Sequence, residues 1–115
     1  MDSILESIKK LLGIDTSYDV FDADLIIHIN SVLSALTQIG VGPKKGFSIS
    51  DSSSEWSEFI DDESQLELVK SYVYIRTKLL FDPPMSSAVM ESYKRIADEY
   101  EWRISVIVNP GSDLS

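Results

Sequence analysis

The sequence predicts an all-α domain built from four main helices. Three observations carry this reading. Apolar residues recur at helical spacing in four long stretches, each bounded by a capping side chain or by glycine or proline. Period-two alternation is confined to one short segment, Phe47-Ser-Ile49-Ser. At 115 residues the chain has the length of one domain and can bury about two thirds of the surface its unfolded form exposes. Residues 1–108 are expected to form this compact four-helix domain and 109–115 a polar C-terminal tail.

The first helix is expected to start at Ser3 and Glu6, which stand at capping-box spacing, and to run to about Leu12. Ile4, Leu5, Ile8, Leu11 and Leu12 form its apolar stripe, and Gly13 supplies a left-handed stop. After a loop over 14–21, Asp19 or Asp22 is expected to cap a second helix reaching about Ile39. Its apolar residues, Leu25 to Ile39, fall within an arc of roughly 140°. Ile27 lies among the polar residues instead, which leaves it exposed unless a partner or the rest of the fold covers it.

Gly40 and Gly42-Pro43 stop that helix, and the segment of about 41–54 reads as an extended arm or short strand carrying Phe47 and Ile49. Its glycines and serines give it little means of packing alone. Ser52 and Glu55 repeat the capping-box spacing and are expected to start a short helical turn that presents Trp56, Phe59 and Ile60. The acidic run 61–64 suits the positive end of a third main helix, whose apolar face runs from Leu66 to Leu80 and which is expected at the centre of the core. Asp82-Pro83-Pro84 breaks the chain. A fourth helix restarts at Ser86 or Ser87, with Val89, Tyr93, Ile96, Ala97, Tyr100, Ile104 and Ile107 as its core stripe. Glu91–Arg95 and Glu99–Arg103 are expected to pair on its outside, and Asn109-Pro-Gly ends it.

Composition excludes most chemistry. With no cysteine and a single histidine, His28, neither a disulfide framework nor a thiolate or histidine metal site can be assembled. The acids at 15, 19, 22 and 24 lack the glycine and glutamate of a calcium loop. Gly40-Val-Gly42 follows a helix rather than a strand, and no phosphate-binding or nucleophile-elbow motif occurs. No cofactor and no catalysis are expected. The net charge of −9, spread along the chain, disfavours tight DNA binding. No secretory leader or membrane span is legible, and the reducing cytoplasm suits the chain. Arg76 projects into an apolar sector and is expected to pair with an acid of another helix or to extend its head to water. Trp102 and Val106 face away from the fourth helix's core stripe and are assigned to an interface, since aromatic residues are enriched where proteins meet. The interface residues expected overall are Ile27, Phe47, Ile49, Trp56, Trp102 and Val106.

Read in series, FDADLIIHINSVLSALTQIGVGP, GFSISD with Trp56 after it, LELVKSYVYIRTKLLFDPPMSS and EWRI resemble the head-tail connector (adaptor) proteins of tailed bacteriophages and prophages. The resemblance covers about Leu5 to Ile104. It implies a structural adaptor that forms a ring on the portal vertex, with the portal protein, neighbouring copies of itself and the next neck or tail-completion protein as partners. DNA would pass through its channel without sequence-specific binding, and the protein would reside in the virion neck after assembly in the host cytoplasm. The competing expectation is a helical regulatory or protein-binding domain outside any virion.

Overall fold

Helix α1 (Ile4–Leu12) begins where Ser3 Oγ accepts the Glu6 amide at 3.2 Å. It ends at Gly13, whose φ of 82° lets the Gly13 and Ile14 amides turn back to the Lys10 and Lys9 carbonyls. These details come from a computed structural model that describes residues 3–108. Ile4, Leu5 and Ile8 are buried as their spacing requires, but Leu11 is half-exposed. The buried arc of α1 is displaced toward Lys9, and Leu11 falls at its far edge.

Helix α2 (Asp22–Gln38) starts without the aspartate cap expected for it: Phe21 is the N-cap residue and makes no side-chain capping bond. Asp22 is turned to another use, described below. Leu25, Ile29, Val32, Leu33 and Leu36 form the buried stripe of α2, while Ile27 is 63% exposed. The non-helical segment that follows is seated, not loose. Val41 and Ile49 are in the core, and Asn30 of α2 clamps Ile49 from both sides of its amide group. The Asn30 side-chain amide donates to the Ile49 carbonyl at 2.9 Å, and its oxygen accepts the Ile49 N–H at 2.7 Å. Phe47 lies against Phe59 with ring centroids 5.5 Å apart. No strand forms among the described residues; the one β feature there is an isolated bridge between Ser3 and Glu55.

The helical turn α3 (Trp56–Phe59) is opened by Glu55 and Glu58 instead of Ser52 and Glu55, the Glu58 carboxylate accepting the Glu55 amide at 2.9 Å. Helix α4 (Glu63–Phe81) is capped by Asp62, which accepts the Ser64 amide, and packs against α1, α2 and α5 at the centre of the molecule. It stops ahead of Pro83-Pro84, and Lys78 Nζ donates to the Asp82 carbonyl at 3.0 Å. Helix α5 (Ser87–Val108) follows, antedated by Ser86, whose carbonyl accepts the Met90 amide.

Only Ala97 and Ile104 of α5 are fully buried, whereas Val89, Ile96 and Ile107, expected in its core stripe, are exposed. The reason is one-sided packing: α5 rests chiefly on α4, and a single neighbour covers a narrower arc than a bundle interior does. Glu99 and Arg103 lie 3.9 Å apart as their spacing predicts, while Glu91 stands 3.8 Å from Lys94 and Arg95 donates to Ser92. The Asn109-Pro-Gly stop and the polar tail lie outside the described residues.

Candidate assembly surface

Tyr72 and Arg76 sit one turn apart on α4, and Asp98 and Glu101 sit one turn apart on α5, so the two helices present a four-residue polar cluster to each other. One terminal nitrogen of Arg76, Nη2, reaches both Asp98 Oδ1 and Glu101 Oε1 at 3.0 Å. Arg76 Nε donates to the Tyr72 hydroxyl at 3.2 Å, and that hydroxyl donates to Glu101 at 2.8 Å. Burial pulls against the Arg76 charge, but its bonds to Tyr72, Asp98 and Glu101 outweigh it and hold the guanidinium above its ordinary value. Burial raises the Tyr72 phenol as well. Of the two outcomes expected for Arg76, the structure shows the pair with acids of another helix.

The cluster forms one wall of a groove of about 580 Å³ between α2, α4 and α5. Val32, Ala35, Leu79 and Leu80 supply apolar lining, and Leu80, expected in the core, is instead about half-exposed there. The groove holds no assembled nucleophile and base, and among the described residues no three His, Cys, Asp or Glu side chains converge as a metal site.

The six residues expected at an interface separate into two groups. Ile27 and Trp102 are on the surface, Trp102 with 56% of its area exposed; Val106 and Phe47 are half-buried. Ile49 and Trp56 are in the chain's own core, which corrects their assignment to an interface. Asn30 fixes Ile49, and the Trp56 indole N–H donates to Ser7 Oγ at 3.1 Å beneath the Lys70 ammonium. A tryptophan with a satisfied N–H is a stable core residue, and the partner that satisfies this one is 49 positions away.

Sequence reasoning missed Lys9, which is 1% exposed. Its ammonium lies 2.8 Å from Asp22 Oδ1 and donates to the Thr16 carbonyl at 3.1 Å, tying the end of α1 to the start of α2. The available signal was its helical position, roughly 40° from Leu5 on the buried arc of α1. Also unforeseen was a second apolar hollow, formed by Leu11, Tyr74, Tyr93, Ile96 and Tyr100 between α1, α4 and α5. No helix among the described residues is long and apolar enough to cross a membrane.

The family model described as phage connector protein matches residues 4–111, nearly the whole chain. No curated protein and no solved structure matches significantly.

Proposed function

Because the chain belongs to the phage connector protein family, we propose that it is a structural head-tail adaptor, with no catalysis and no cofactor of its own. Copies of it form a ring on the portal vertex, join the DNA-filled head to the neck or tail, and leave a channel through which DNA passes. The observation that carries the reading is the extent of the family match, which spans all five helices.

The physical properties of the chain support it. Ile27 and Trp102 are large apolar side chains held in solvent by well-formed helices, with Val106 one turn beyond Trp102 and the half-buried Phe47 on the connecting segment. We assign these four to contacts with neighbouring copies, the portal protein or the next neck component. At −9 per subunit, a ring of about a dozen copies carries on the order of a hundred net negative charges, a sign that repels phosphates and lets DNA slide. The protein then resides in the virion neck after assembly in the host cytoplasm.

Disruption of the gene tests the role. Infected or induced cells should accumulate DNA-filled heads and separate tails that fail to join. An unchanged yield of joined, infectious particles would overturn it.

A further inference from the structure

A hollow of about 510 Å³ opens where the end of α1, the start of α2 and the end of α4 meet, with the rings of Phe21, His28 and Phe81 in its wall. The Phe81 ring, on the last residue of α4, has its centroid 5.4 Å from that of Phe21 and 6.4 Å from that of His28. Tyr18 continues the row, 5.7 Å from Phe21. Leu12 and Ile14 supply aliphatic lining. Phe21 is 38% and Tyr18 49% exposed, so the row is open to solvent.

The charged part of the lining is acidic. Asp24 and Asp82 border the hollow, and both are exposed. Lys78 Nζ matches Asp82 Oδ2 at 3.2 Å, but Asp24 has no hydrogen-bond or ion-pair partner among the described residues. Neither lysine in the last turn of α1 neutralises it: Lys9 is held by Asp22 at 2.8 Å, and Lys10 stands roughly 160° from Leu12 around the helix. Residues 13–21, which connect α1 to α2, add Asp15 and Asp19 and no base. Two helices end at the hollow, α1 and α4, and each C-terminus carries the negative end of a helix dipole. Pro83 and Pro84 have no amide to offer the Leu79 and Leu80 carbonyls, which strengthens that effect at the end of α4. The start of α2 contributes the opposite sign, and the Asp22 and Asp24 carboxylates of its first turn offset it.

Open aromatic rings beside an uncompensated carboxylate and two helix C-termini match one ligand chemistry, an organic cation with a weakly hydrated head. A metal ion needs several converging oxygens, and among the described residues no three metal-ligating side chains converge. An anion would meet the wrong sign. We propose that the hollow receives an arginine side chain presented by a partner protein. Its guanidinium lies against the Phe21 and Phe81 rings and pairs with Asp24, and its aliphatic stem packs on Leu12 and Ile14. Arginine fits better than lysine because its flat head stacks on rings while forming a forked pair with a carboxylate. The site goes beyond the connector role, and its test requires neither a portal nor a ring.

The probe is the blocked peptide acetyl-Gly-Arg-Gly-amide, added to the full 115-residue chain at constant ionic strength and followed by NMR. Saturable shifts are expected at Phe21, Asp24, His28 and Phe81, with half-saturation on the order of millimolar for a single side chain. The same peptide with glutamine in place of arginine should shift none of them. Asp24→Asn should weaken binding about threefold, as should Phe21→Leu, which keeps an apolar side chain but removes the ring. Asp61→Asn, at an exposed acid outside the hollow, should leave binding unchanged. Asp24 is exposed, so its substitution decides the question alone should Phe21→Leu fail to fold. Equal shifts from the glutamine peptide, or none at these residues with tens of millimolar arginine peptide, would overturn the site. So would binding that Asp61→Asn weakens as much as Asp24→Asn does, since net charge would then account for it. A lysine peptide that binds as tightly would overturn the assignment to arginine.

Discussion

Replacing Asn30 by alanine tests whether the 40–55 segment is held by the subunit itself. The side chain makes two bonds to one peptide unit, at 2.9 and 2.7 Å, and the residue it grips, Ile49, is only 3% exposed. Each such bond contributes about 1 kcal/mol net, and a buried backbone group left without a partner costs about 1–3 kcal/mol. Water entering the truncated site recovers part of that, so Asn30→Ala should destabilise the domain by about 2–4 kcal/mol and lower Tm by on the order of 10 °C. Asn30→Asp should also destabilise, since its carboxylate still accepts the Ile49 N–H but sets a second, charged oxygen against the Ile49 carbonyl oxygen. Urea unfolding supplies the free energies, and amide exchange supplies the location: Ile49 should be protected in the free wild-type chain and lose protection in Asn30→Ala. A change in stability below about 0.5 kcal/mol, together with fast Ile49 exchange in the wild type, would refute the clamp.

Other expectations follow from the same coordinates. Trp102→Ala should change unfolding stability by about 0.5 kcal/mol, as at other surface sites, yet cut incorporation into portal complexes by about tenfold or more; a severely unfolded variant would place the indole in the core. Gly42→Ala should cost about 2 kcal/mol or more in thermal unfolding, because φ there is 84° and a Cβ would stand 2.5 Å from the Phe59 ring. Asp22→Asn, which removes the carboxylate in direct contact with the buried Lys9 ammonium, should destabilise by about 3 kcal/mol and by more than Lys9→Met, which leaves a partly solvated carboxylate; the opposite order in urea would contradict the ion-pair account. Hydrogen bonds from the Ser64 hydroxyl and amide hold the Asp62 carboxyl below its ordinary value of 3.8, so its contribution to stability is complete above that pH and fades as the pH falls through the folded value. Carboxyl NMR titration should find Asp62 depressed and Ser64→Ala returning it toward 3.8; equal values in both proteins would exclude the serine as the cause.

Helices α1, α2, α4 and α5 were legible because apolar spacing is a local property of the chain, and so are the stops of α1, α2 and α4. Arg76 was legible in part, since a guanidinium in an apolar sector must either find an acid or reach water, and the choice between them depends on the helix packed beside it. The arm was misjudged for the converse reason. Glycines and serines describe what residues 41–54 lack, while the means of seating them, Asn30, lies 19 positions before Ile49. Trp56 was placed outside and Lys9 left unremarked on the same ground: Ser7 and Asp22 complete them through tertiary contacts that no local pattern announces. The core stripe of α5 was drawn too wide because periodicity reports which residues are apolar, not how many helices are present to cover them. That surplus of uncovered apolar surface, on Trp102 and its neighbours, is the feature of the subunit that assembly uses in this account.

The connector role is tested most directly by mixing the purified chain with purified portal rings of the same phage and imaging the product by electron cryomicroscopy. The account predicts a ring of copies seated coaxially on the portal, with an open channel and with the Trp102 and Ile27 side chains covered by protein. Portal rings that remain bare at saturating concentrations of folded chain would contradict it.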